Sequence, residues 1–391
     1  MKLIKFEMIK LAKSPAILGF FSVCLLFNVI VVFASSHKTQ IDYLNGIAKI
    51  TGVVYGEEYK QKLQTVKKPA DGGYPYDWLY ESLEAAAEGA HNAFADWDNQ
   101  TIQNRLKSSD VKLSDTAKKM LAWKYDKLEP IVAEKAMRGD GKSVYFATQS
   151  YHIHETVFGN IGKILAVESC IFFVLIMLWA LGFESIAGTS LVTYSTKAGR
   201  KLAIPKIVAA LLIGMAFFIT TYIITYGLTF GANDFSVVWG QNVSAQYLEV
   251  SPPFLGRMPF ATWEPMTVGG YFWVGVGVAF LNGLVSALFA VPFGLLIKNT
   301  YVAFCCVSGL SFVNFVVMLM GSKTAGTVPF LWHLSLIAPL PQIFNNLLWF
   351  TDGGTGMLLP HFEVLYPLIF AALLVPAIAF SAKKFIRKEI A

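Results

Sequence analysis

The chain has 391 residues, of which 55% are hydrophobic and 15% charged, with a formal net charge of +6. Its apolar residues are gathered into blocks separated by polar stretches, which excludes an evenly patterned soluble globule; none of the blocks alternates apolar with polar, which excludes the strands of a membrane barrel. The cations cluster in short segments between blocks, so the positive charge is a topology signal and not the footprint of nucleic-acid binding.

At the start, Lys2 to Lys13 places Ile4, Met8 and Leu11 along one helical face and keeps most lysines elsewhere. That pattern predicts an amphipathic interfacial helix with Glu7, Lys10 and Lys13 as its charged residues. A Lys13-Ser14-Pro15 turn leads into the first of six blocks long enough to cross a hydrocarbon core, which takes roughly 17 to 25 helical residues. The blocks are Ile17 to Ala34, Ile164 to Phe183, Ile207 to Phe230, Tyr271 to Ile297, Tyr301 to Met320 and Leu365 to Ala382. Val32-Phe33-Ala34 fits a small-residue cleavage pattern, but the expected reading is an uncleaved signal anchor.

Ser36 to Asn160 carries 16 Lys+Arg against 17 Asp+Glu and is the one sizeable aqueous region. Leu79, Leu83, Ala86, Ala90, Phe94 and Trp97 recur at steps of three or four, which predicts one helix from Asp77. Ser114 is placed to cap a second helix carrying Leu121, Tyr125 and Leu128, with Pro130 ending it or opening another. Lys67 to Gly73 is a turn-rich break. About 125 residues can bury a small core, so an extracytoplasmic, mainly helical domain is expected. Its aromatics, Trp78 and Trp123 among them, suit packing or contact with an amphiphile. Gly139-Asp140-Gly141-Lys142-Ser143 ends like a phosphate-binding loop but has Ala136 where the first glycine belongs. His152, His154 and Glu155 could serve zinc only with a fourth ligand, which the sequence does not offer; a solvated, interfacial role is the simpler reading.

Between the second and third blocks the chain passes Glu184, Gly188-Thr189, Ser195 and Gly199-Arg200-Lys201 before Pro205-Lys206 opens the next block. Glu184 is expected to pair with Arg200, Lys201 or a lysine of the first helix. With Lys2, Lys5, Lys10 and Lys13 before the first block and Lys383, Lys384, Arg387 and Lys388 after the sixth, the positive-inside rule places this elbow and both termini in the cytoplasm. Gly231 to Thr267 then reads as an outer loop. Gly321 to Glu363 reads as short helices, re-entrant or interfacial, because Pro329, Pro339 and Pro341 break its apolar pieces.

Asn282, Ser286, Ser308, Ser311 and Asn314, with Gly275, Gly277, Gly283 and Gly309 nearby, read either as close helix packing or as a substrate path. Glu168 is expected near the outer boundary of the second span. Cys24, Cys170, Cys305 and Cys306 all lie in apolar blocks, so neither a disulfide framework nor a cysteine metal site is predicted. Asn99-Gln100-Thr101 and Asn242-Val243-Ser244 match a glycosylation triplet that also arises often by chance.

The elbow, with its acidic residue, Gly-Thr pair, basic turn and leading lysine, resembles that of ABC-2-type transporter permeases. The lysine-rich start with Glu7, Lys10 and the Lys13-Ser14-Pro15 turn is similar to the opening of many of them. The resemblance covers the whole chain in topology and about 40 residues in motif; the elbow carries Lys197-Ala198-Gly199 where family members often have a proline before the arginine. It implies an all-α membrane protein with three parts: residues 1–35, the interfacial helix and first span; 36–160, the extracytoplasmic domain; and 161–391, spans two to six with the coupling elbow at 184–206. It further implies an exporter permease of a bacterial cytoplasmic membrane, moving peptides, lipids or similar amphiphiles. Such a subunit is no enzyme and binds no cofactor itself: partner ATPase subunits would supply ATP and Mg²⁺, and a second or paralogous permease would complete the pore. The alternatives are a four-span permease relative and a membrane-embedded sensor or enzyme.

Overall fold

A computed structural model describes residues 2–66, 75–88, 92, 94–108, 114–144, 151–195, 199–244, 260–323, 329–353 and 357–387. Among these residues the regular structure is helical, with three isolated bridges, Val54 to Ser143, Asn242 to Thr267 and Thr262 to Thr351. Six helices are long and apolar enough to cross a membrane. They are α2 (Pro15–Ala34), a π-helical turn His154–Ile161 continuing into α8 (Gly162–Ile186), α10 (Ala203–Ala232), α12 (Val268–Leu296), α13 (Thr300–Lys323) and α16 (Phe362–Arg387), with a short α11 (Ser236–Trp239) between α10 and α12. This is the architecture of a multi-pass membrane protein.

The bundle is built around α8. Within its apolar window 72% of the helix is buried, against 17% for α13 and 22% for α2 and α16. The reason is visible at Phe173, whose ring fills the gap left by two glycines. A Cβ added at Gly214 of α10 would stand 2.5 Å from that ring, and one added at Gly283 of α12 would stand 2.7 Å from it. Gly283 is thus a true close-packing glycine. At Gly275, Gly277 and Gly309 an added Cβ meets nothing within 4 Å, so these three are not packing sites within the chain. Gly283→Ala should therefore lower the thermal midpoint in detergent, because the ring is held from both sides and an overpacked methyl costs about 1 to 3 kcal/mol. Gly277→Ala should not, and equal behaviour of the two variants would contradict this packing.

The amphipathic start is α1 (Lys2–Ala12). Its Leu11 is buried and Ile4 and Met8 are partly buried against the core, so the predicted apolar face is spent on the bundle, where α1 lies on α10 and α8. A second strip, Leu3, Phe6 and Ile9, is exposed.

Between the first two spans lie α3 (Lys38–Thr51), α4 (Glu57–Thr65), α5 (Tyr76–Glu88), α6 (Asn99–Lys107) and α7 (Asp115–Arg138). The predicted single helix from Asp77 divides: Leu79, Leu83 and Ala86 are buried on α5, whereas Phe94 and Trp97 lie beyond it and pack in a second cluster with α6 and α7. Ser114 does cap α7, its side chain accepting from the Ala117 amide at 3.2 Å. Pro130 neither ends nor starts a helix. It sits inside α7, because Leu128, Val132 and Lys135 continue one buried face past it and tertiary contacts offset the lost backbone bond.

This segment is not closed on itself. The α6–α7 cluster is completed by Ala261 and Trp263, which follow α10, and by Leu358, which precedes α16. The phosphate-loop look-alike is a helix cap: Gly139 ends α7 at φ +70°, Asp140 accepts from Arg138 Nη2 at 3.0 Å, and the Lys142 carbonyl accepts from the Tyr55 amide at 2.8 Å. The break at 67–73 is outside the described residues apart from its flanks.

Candidate functional site

Where α8 ends and α10 begins, the chain gathers four charged side chains, Glu7, Glu184 and Lys206 buried and Lys10 partly so. Glu184 lies in the last turns of α8 and Lys206 in the first turn of α10, with side chains only 4% and 2% exposed. Their carboxylate and ammonium are hydrogen-bonded directly, and Lys206 Nζ also donates to the Ala180 carbonyl at 3.1 Å. The other Glu184 oxygen accepts from Lys10 Nζ of α1 at 3.0 Å. Lys10 in turn reaches Glu7 at 3.1 Å and stands 3.9 Å from the centre of the Phe183 ring. Two acids and two bases balance, and every charge has an opposite partner, which is the condition under which buried ions are tolerated.

The short segment between the two helices is presented outward. Gly188 has φ +67° and is exposed, and the Thr189 amide donates to the Glu184 carbonyl at 2.9 Å, closing the end of α8. Helix α9 (Ser190–Ser195) follows with Leu191 and Val192 exposed, and Ser195 Oγ donates to the Val192 carbonyl. Tyr194 meets Phe385 of α16 edge-on, 5.7 Å between ring centres. Residues 196–198 and the Arg200 side chain lie outside the described residues, while the Arg200 backbone belongs to a 3₁₀ turn, Gly199–Leu202. Lys13 and Lys201 are exposed. Glu184 therefore takes Lys206 and Lys10, and Lys201 stands apart. The pairing with Lys206 escapes sequence reasoning because a lysine heading a span reads as an interfacial anchor; its signal is the 22-residue return from Glu184, which brings two adjacent span ends together.

The polar residues of the fourth and fifth spans divide. Ser286, Ser308, Ser311 and Asn314 border a cavity of about 730 Å³ between α8, α12, α13, α16 and the short helices α14 (Pro329–Ser335) and α15 (Pro339–Phe344). Asn282 does not border it; its amide donates to the Val278 carbonyl of its own helix at 3.0 Å. Glu168, expected at a span boundary, lies nearer the middle of the 33-residue helix His154–Ile186, where it is buried and accepts from Asn28 Nδ2 at 2.9 Å.

The histidines part company. His152 stacks on His37 with 4.1 Å between ring centres and has Glu155 3.7 Å away, whereas His154 is buried against Phe158 and Phe260. Among the described residues no group of three or more His, Cys, Asp or Glu is placed to hold a metal ion.

Buried charges were missed, two lysines of α7 and Asp352 among them. Lys124 and Lys135 of α7 are fully buried; Lys124 Nζ donates to the carbonyls of Asp352 at 2.8 Å and Met357 at 3.0 Å, and Lys135 Nζ to Thr262 Oγ1 at 3.2 Å. Burial pushes both amines down to about 8, the nearby Asp352 and Asp140 carboxylates opposing it. The signal was present: Leu121, Lys124, Leu128, Val132 and Lys135 share one helical stripe.

No family model matches the chain, and no curated protein and no solved structure matches it either.

Proposed function

We propose that the chain is the membrane subunit of an ATP-driven exporter of the ABC-2 type, in a bacterial cytoplasmic membrane, with both termini and the 184–206 elbow in the cytoplasm. Separate ATPase subunits bind ATP and Mg²⁺, and a second permease copy or a paralogue completes the assembly. The observation that carries this reading is the exposed helix α9 held between two spans whose ends are locked together by Glu184, Lys206 and Lys10. A rigid connection passes on a displacement that a loose loop would absorb. The substrate is an amphiphile, a peptide or lipid, as the mainly apolar cavity beside Ser286, Ser308, Ser311 and Asn314 favours.

Two measurements test it. The tagged chain, purified from its native membranes, should carry ATP hydrolysis with it, and Leu191→Asp with Val192→Asp should cut that activity at least tenfold while the chain stays monodisperse. In a background without the native cysteines, Met137→Cys should react with an impermeant thiol reagent from outside intact cells and Val192→Cys should not. Hydrolysis no greater than in a mock purification, or labelling of Val192→Cys from outside, would set the reading aside.

A further inference from the structure

The cavity between α8, α12, α13 and α16 is mainly apolar, and three of its four Ser and Asn side chains already donate to backbone carbonyls, while the fourth, Ser308, is exposed. Ser286 Oγ donates to the Asn282 carbonyl at 2.8 Å, Ser311 Oγ to the Val307 carbonyl at 2.9 Å, and Asn314 Nδ2 to the Ser335 carbonyl at 2.9 Å. Among the described residues no Asp, Glu, Lys, Arg or His borders it. Its volume of about 730 Å³ lies within the range of about 300 to 1,000 Å³ usual for small-molecule sites. Leu310, Phe312, Phe344 and Leu373 border it and are exposed at the flank of the bundle, so it opens sideways between apolar helices.

One cation stands at its end. Val167, Cys170, Ile171 and Val174 face the cavity from α8, and Lys163 is one turn from Val167 on the same face, toward the side of the membrane that carries α3 to α7. The Lys163 ammonium lies over the ring of Phe344, 5.6 Å from its centre, and Phe344 itself borders the cavity. Among the described residues no carboxylate forms an ion pair with Lys163.

From this arrangement we infer that the cavity is a lateral binding site for an anionic phospholipid of the leaflet on the α3 to α7 side. One acyl chain fills the space between α8 and α13, and the phosphate meets Lys163. An apolar chain asks nothing of the bonded Ser286 and Ser311 hydroxyls, while the headgroup supplies a counter-charge that no described carboxylate provides. The inference rests on the spans and the cavity alone and stands whether or not the chain works with an ATPase.

The test uses the full-length chain in detergent with an equimolar mixture of phosphatidylglycerol and phosphatidylcholine of identical acyl chains, and counts retained lipids by native mass spectrometry. The wild-type chain should retain phosphatidylglycerol over phosphatidylcholine at least fivefold. Lys163→Met should bring the ratio close to one with total lipid little changed, and Ser311→Trp, which fills the cavity, should reduce retention of both about tenfold. A wild-type ratio of one, or a ratio untouched by Lys163→Met, would overturn the assignment of the headgroup; retention untouched by Ser311→Trp would overturn the assignment of the cavity. Cross-linking of two chains through Phe312→Cys in a cysteine-free background, with no lipid retained, would give the groove to a second copy instead.

Discussion

Glu184→Ala should lower transport at least tenfold in reconstituted vesicles, while basal hydrolysis by the partner ATPase stays within about twofold. Removing the carboxylate leaves the ammonium of Lys206, 2% exposed, facing only the Ala180 carbonyl, and Lys10 with Glu7 alone. Breaking one side of a buried pair costs about 3 to 5 kcal/mol, and about 1.4 kcal/mol already shifts an equilibrium between two arrangements tenfold. The loss is therefore large enough to free the ends of α8 and α10 from one another. Replacing both partners, as in Glu184→Leu with Lys206→Leu, removes the stranded charge, so abundance should recover to near wild type. Transport should not recover with it, because the link to Lys10 of α1 is gone. Normal transport in Glu184→Ala with the ATPase still bound would sink the coupling role of this cluster; recovery of transport in the double variant would reduce the cluster to a structural one.

The second large effect belongs to α7. Lys124→Ala deletes a fully buried side chain, leaves the carbonyls of Asp352 and Met357 without this donor, and opens a cavity in the α6–α7 cluster. Unsatisfied buried groups cost about 1 to 3 kcal/mol and the cavity adds to that, so α6–α7 should become protease-sensitive well below the melting of the bundle. Titration gives a check with a definite sign. The amine is pushed down to about 8 when buried and returns to about 10.4 in the unfolded chain, so between these values the unfolded state binds more protons. Stability of the α7 docking should thus rise with pH from about 8 to about 10, by up to about 1.4 kcal/mol per pH unit for each lysine. Lys124→Met with Lys135→Met should flatten that rise. A wild-type profile that falls over the same window would contradict the burial of both amines.

The six spans were legible because a hydrocarbon core demands long apolar helices, and every predicted block falls on one of the six, with Ile297 capping α12. The helix start at Ser114 was legible for an equally local reason. What depends on meeting a distant partner was not. Pro130 reads as a stop until α7 is seen packed on both sides of it, and Phe94 and Trp97 keep the spacing of α5 while belonging to a different cluster. At the candidate site, the charge of Glu184 beside an elbow was readable, but the choice among Arg200, Lys201, Lys206 and Lys10 is a matter of which helix ends lie side by side. Lys206 is buried and Lys201 exposed although only four residues lie between them, a difference set by the turn of a helix and not by composition.

The lysines of α7 also say something about the order in which the molecule can be finished. Lys124 is synthesised 228 residues before the carbonyl of Asp352 and 233 before that of Met357, and the apolar cluster around Tyr125 waits for Ala261, Trp263 and Leu358. On a growing chain, α8, α10 and α12 follow one another and can assemble around Phe173 as soon as they are inserted, whereas α6 and α7 stay open until nearly the last span has emerged. During that interval the cluster of Leu121, Tyr125 and Leu128 lacks the cover of Ala261, Trp263 and Leu358, the kind of apolar surface that chaperones shield. A chain truncated after α12 should keep its central helices and lose the fold of α6–α7, so the completeness of that pair records whether synthesis reached the final span.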